Sequence, residues 1–174
     1  MSVESLFLQF SVDKLRQLLD RIEVCLDKLT EAQLWARASE NENAAGNLVL
    51  HLAGNVRQWI TTSLGDNPTP RDRDSEFSAR GGANVAQLKV TLRSTVEEAI
   101  GVIQRIDTNR DHERLTRMYK IQNYSVSGLE AIYHVVEHFS QHAGQIIFIA
   151  KMATGKDLEF YAHLRSSAPH EQAP

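Results

Sequence analysis

The chain has 174 residues, 42% hydrophobic and 24% charged, an ordinary globular balance with length enough to bury its own core. A formal charge of -3 argues against a nucleic-acid binder, which normally carries a concentrated basic face. The one local basic cluster, Arg71 and Arg73, is interleaved with Asp72 and Asp74, so its field largely cancels.

The opening segment, Met1 to Leu8, lacks the basic start and uninterrupted apolar stretch of a secretory leader. No apolar run approaches the ~20 residues that span a bilayer. The expected location is the cytoplasm, with neither nucleic acid nor membrane as a partner. From Leu6 to Leu29 apolar residues recur at helical spacing, which predicts one long amphipathic helix over residues 3–29. The single cysteine, Cys25, lies within it, where it reads as a small buried apolar residue. One cysteine also rules out an internal disulfide and a thiolate-rich zinc site.

Thr30 followed by Gln33 is a capping-box pattern that starts a short helical turn. Residues 39–43 are polar and turn-like. A second helix is predicted over 44–64, with Gly65 as its stop and 65–70 as a loop. The alternating cluster Arg71 to Glu76 then reads as an ion-pair network pinning the chain to the body of the protein, with a substrate-binding arginine as the other option. Gly81 and Gly82 precede a third helix carrying Val85, Leu88, Leu92, Val96, Ile100, Ile103 and Ile106. Residues 107–126 have no clear period, and 118–124 can be extended. Ser127 with Glu130 opens a fourth helix that runs to Thr154 and stops at Gly155. Four helices with one apolar stripe each predict an all-α four-helix bundle, a single domain over 1–165. Residues 166–174 read as a disordered tail.

Seven histidines need explaining, and His134, His138 and His142 are spaced by four, on one helical face. A pair at that spacing can hold one metal ion. With His134 at zero and ~100° per residue, the apolar arc of the fourth helix runs from about 60° to 220°. His142 falls near ~80° and His138 near ~40°, at the border of the core, and His134 lies further out. His51 sits at the same kind of border on the second helix, with Asn55 one turn along. If those two helices are neighbours, the three rings converge. Periodicity carries the argument no further, because a lone histidine at an apolar border is usually structural.

His134-Val-Val-Glu-His138 also matches the inverted zinc-peptidase signature, which would make Glu137 a base. On the wheel Glu137 falls near ~300°, on the solvated side, which argues for a plain surface carboxylate. His112, His163 and His170 lie in loop or tail.

Asn47-Leu-Val-Leu-His51-Leu-Ala-Gly-Asn55 and Tyr133-His-Val-Val-Glu-His138-Phe-Ser-Gln-His142-Ala-Gly-Gln145 together resemble the DinB-like (YfiT-like) superfamily of metal-binding four-helix proteins. Arg71 to Phe77 further resembles a motif of one bacterial branch of that superfamily. The resemblance spans nearly the whole chain. It implies a metal site made of His51, His138 and His142, a long crossover between helices two and three, and frequently a homodimer. Some relatives are transferases or isomerases that use a low-molecular-weight thiol as cosubstrate, and many members have no assigned reaction.

Two readings follow. One is a metalloenzyme acting on a small-molecule substrate, a thiol-using transferase or a hydrolase, with Asn55, Gln145 and His134 around the ligands. The other is a non-catalytic, stress-associated binding protein with a structural or vestigial metal. Histidine ligands suit zinc or nickel, with iron or copper also compatible.

Overall fold

The structure is a computed structural model that describes residues 1–108 and 110–162. The fold is the expected all-α bundle, accompanied by one small hairpin. Its long helices are α1 (Val3–Leu26), α3 (Ala45–Val56), α5 (Val85–Thr108) and α7 (Gly128–Thr154). Short helices α2 (Glu31–Leu34), α4 (Arg73–Ser78) and α6 (Glu113–Thr116) lie in the connections. No helix among the described residues is long and apolar enough to cross a membrane.

The caps fall where the sequence puts them. Thr30 and Ser127 each accept from the backbone N–H three residues on, and the Gln33 and Glu130 side chains return the bond. Gly155 ends α7 at φ 65°, a left-handed position that costs glycine nothing. The core is built from Leu8, Val12, Leu15, Leu19 and Ile22 of α1 against the inner faces of the other three long helices, and Cys25 is fully buried within it. Not every apolar residue of the predicted stripes points inward. Leu6, Phe10 and Leu129 are exposed, because they project from the outer sides of their helices, where Leu8 and Val12 of α1 and Ala131 and Ile132 of α7 take the inward positions.

Helix direction is fixed by contacts at the ends. Ser5 donates to Asp107 at 2.6 Å and Lys89 to Asp27 at 2.7 Å, so α1 and α5 are antiparallel neighbours. The order along α3 runs against that along α7, since His51 meets His138 and Asn55 meets His134. By contrast α3 and α5 run the same way. Trp35, which lies against Gly46 at the start of α3, donates to Ala83 just before α5, and Gly65 lies against Val102 further along. Two parallel neighbours cannot be joined by a tight turn. Residues 45–62 span about 27 Å at helical rise, and the chain must return over that length before α5 begins. This is the physical origin of the crossover, residues 63–84.

The crossover is pinned to α3 through Asn47. Its amide donates to the carbonyls of Glu76 and Ala79, both at 2.9 Å, and Arg37 donates to Phe77 O at 2.7 Å. α3 itself ends in a π-helical turn over Arg57–Thr62, seen in the bond from Gly65 N to Ile60 O at 2.9 Å. The stretch with no helical period forms α6 and an antiparallel hairpin, β1 (Met118–Ile121) and β2 (Tyr124–Ser127). The expected tail, residues 166–174 with His170, lies outside the described residues, as does His163.

Removal of the Asn47 amide takes the side-chain donor from the Glu76 carbonyl and leaves Ala79 O with only the longer bonds from Arg37 and Arg80, both at 3.3 Å. Asn47→Ala is expected to lower unfolding free energy by about 1–3 kcal/mol, read as a lowered urea midpoint.

Candidate metal centre

His51 is on the inner flank of α3 and only 4% exposed. What it meets there comes from the crossover. Its Nδ1 lies 2.9 Å from Glu76 Oε2, and Glu76 is itself buried. Arg71 closes the arrangement with Nε at 2.7 Å from Glu76 Oε1 and Nη2 at 2.8 Å from Oε2. Its remaining arm donates to Gln58 at 2.8 Å. Arg71 Nη2 also lies 3.1 Å from His51 Nδ1, but two donors aimed at one carboxylate oxygen explain that approach. Gly54, three residues beyond His51, opens the space. A Cβ there would collide with Glu76 and crowd Arg71.

Burial alone would push the Glu76 carboxyl up, but the Arg71 guanidinium and the His51 ring outweigh it and hold the group below its ordinary value. Glu76 is therefore a carboxylate, and it accepts from His51 Nδ1–H. In the neutral ring that leaves the lone pair on His51 Nε2. The cluster expected to pin the crossover does so through this buried part. Asp72, Arg73 and Asp74 of the same cluster are exposed.

α7 supplies the other two rings. His138 and His142 stand one turn apart, with centroids 4.4 Å from each other and each 5.1 Å from His51. The His142 Nδ1–H donates to Gln145 Oε1 at 2.6 Å, which turns its Nε2 to the cluster. His51 Nε2 and His138 Nε2 are 2.9 Å apart. Two lone pairs at that separation repel unless a proton or a cation lies between them. Nitrogens bound at ~2.0–2.1 Å to one tetrahedral ion stand about 3.3 Å apart, so the pair is close to ligand spacing. One nitrogen from each of the three rings can be chosen with all within 4.8 Å of one another, which could hold a metal ion. The structure thus brings together the three histidines singled out from the sequence.

His134 is not in that set. It packs against Trp59, centroids 4.0 Å apart with the ring planes tilted by 36°, and its Nε2 lies 3.4 Å from the Asn55 amide. Glu137, which the peptidase signature would have made a base, is exposed. His112 faces Asp107 at 3.4 Å, in the loop before α6. Beside the histidines opens a cavity of about 510 Å3, walled by α3, α7, the crossover and the hairpin. Sequence reasoning did not find Glu76 as a partner of His51, nor Gln58, Trp59 and Tyr124 as neighbours of the site. The five-residue spacing of Arg71 and Glu76 was visible, but which histidine they meet is a matter of the crossover's path.

Glu76 holds the His51 ring in one tautomer and one orientation. Glu76→Gln is expected to weaken zinc binding by about 10–100-fold in competition titrations, and Glu137→Gln to leave it unchanged. Protonation offers a second check. Burial, reinforced by the neighbouring imidazoles and Arg71, pushes the His138 ring down from 6.5 to about 3. The unfolded chain takes up a proton near 6.5 that the folded chain refuses, so stability falls as pH drops through 6.5 and keeps falling towards 3. His134 and His142 are shifted in the same direction, chiefly by burial. The melting temperature of metal-free protein is expected to decline across that window, and less steeply in His138→Asn.

A crystal structure of a conserved protein from Enterococcus faecalis superposes with a TM-score of 0.69 over 90% of this chain and 99% of that one. At 18% identity the likeness is one of fold. No curated protein matches. The family described as "Protein of unknown function (DUF1572)" matches residues 2–165, and the chain belongs to that family.

Proposed function

We propose that this protein binds one divalent metal ion through His51, His138 and His142 and uses it on a small-molecule substrate, as a thiol-using transferase or as a hydrolase. The observation that carries the reading is the convergence of three imidazoles beside an open cavity, with two of them already oriented by Glu76 and Gln145. An ion held by three neutral imidazoles keeps its full charge and an open position, and lowers the pKa of a bound water towards ~7 or favours a bound thiolate. Zinc and nickel suit this donor set best.

The protein's own contribution is positioning. Glu76 fixes His51, and Arg71 neutralises Glu76 so that the ligand set stays uncharged. Gln145 fixes His142. Asn55 and His134 stand on the cavity side, where they can orient a substrate. The residues shared with the DinB-like pattern support placing the family in that superfamily. Exposed Tyr133, Phe148 and Met152 on α7 support self-association.

The non-catalytic alternative gives the metal a structural or vestigial role. The buried apolar core of all four long helices argues against a structural one, because it needs no ion to form. Protein purified without an affinity tag is expected to carry close to one zinc or nickel per chain by elemental analysis, and His138→Ala to carry little. Unchanged metal in that variant would sink the assignment. Chelation is expected to lower the melting temperature only slightly, whereas a large drop would favour the structural role.

A further inference from the structure

The cavity beside the histidines has its own chemistry. Its volume of about 510 Å3 is that of a small-molecule site. Most polar groups on its wall are already committed. Arg71 is taken by Glu76 and Gln58, and Gln122 also donates to Gln58, at 2.9 Å. The Glu130 carboxylate accepts from Ser127 N at 2.7 Å and from the Ser127 hydroxyl at 2.8 Å, so its charge is spent on the N-terminus of α7.

Three features remain uncommitted. Arg73 is exposed, leans over the Phe77 ring, and has no carboxylate partner among the described residues. Asn55 is only 4% exposed, and its Oδ1 has no hydrogen-bond partner among the described residues. A buried amide oxygen costs free energy until a donor meets it. Tyr124 is 61% exposed, an aromatic ring held beside Trp59 at 6.5 Å between centroids and 37° between planes. Trp59 is itself buried with His134 against it, so the open face that favours a flat π-bodied guest is that of Tyr124.

We infer that this cavity takes a small organic anion with a flat, unsaturated body and a hydrogen-bond donor of its own. Arg73 meets the charge, Tyr124, with Trp59 behind it, meets the flat body, and Asn55 Oδ1 accepts the hydrogen bond. The inference deepens the metal-site reading by naming the substrate class for the same site, but these contacts are made by the chain alone.

Isothermal titration with three probes tests it, on protein with and without zinc. 4-Hydroxybenzoate carries all three features, cyclohexanecarboxylate lacks the flat body, and 4-hydroxybenzyl alcohol lacks the charge. 4-Hydroxybenzoate is expected to bind at least about tenfold more tightly than either, the scale of one such contact. Arg73→Gln, a change at an exposed position, and Asn55→Leu are each expected to cost about tenfold in that affinity. Equal binding of the three probes, or undiminished binding of 4-hydroxybenzoate to zinc-loaded Arg73→Gln, overturns the proposal. The two readings fail separately. Zinc binding with no probe binding defeats this one alone, and Arg73-dependent probe binding by a chain that takes up no zinc defeats only the metal site.

Discussion

A buried carboxylate between an arginine and a histidine is the interaction on which the rest of the site depends. Glu76 lies inside the protein, and a carboxylate there is tolerated only when its lone pairs are filled and its charge is met. Arg71 and His51 do both. The contact fastens the crossover to α3, and it also decides which nitrogen of His51 faces the other rings. One interaction therefore couples backbone path to site chemistry. Gly54 is the complementary requirement, since any side chain at that position would occupy the space of the carboxylate.

The crossover exists because α3 and α5 are parallel neighbours. A chain that must retrace the length of a helix can be laid over a face of the bundle, and here it brings the polar partner that α3 and α7 lack. The far wall of the cavity has a different origin. A π-helical turn at the end of α3 carries Gln58 and Trp59, and the hairpin before α7 adds Tyr124 and Val126. Irregular turns of this type concentrate at functional sites, where a regular helix would leave side chains in the wrong register.

α7 serves as the rigid element. Capped at both ends and packed along its inner face, it holds His138 and His142 one turn apart with little freedom to separate. His134 shares their face but lies a turn further along, where it meets Asn55 of α3 and Trp59 of the π-helical turn rather than His51. Identical spacing along the helix thus gives unlike roles across it.

Much of this was legible in the sequence because it is local. Helix starts at Ser127 and Thr30, the stop at Gly155, the four apolar stripes and the border positions of His51, His138 and His142 all depend on residues within a few turns of one another. The demotion of Glu137 was equally readable, since the face a residue occupies follows from helical period alone. Tertiary structure decided the rest. The parallel sense of α3 and α5, the burial of Glu76 against His51, the joining of Asn55 to Trp59 and Tyr124 around one cavity, and the exposure of Leu6, Phe10 and Leu129 all depend on which surfaces meet. Periodicity says which side of a helix faces inward, and only packing says what it faces.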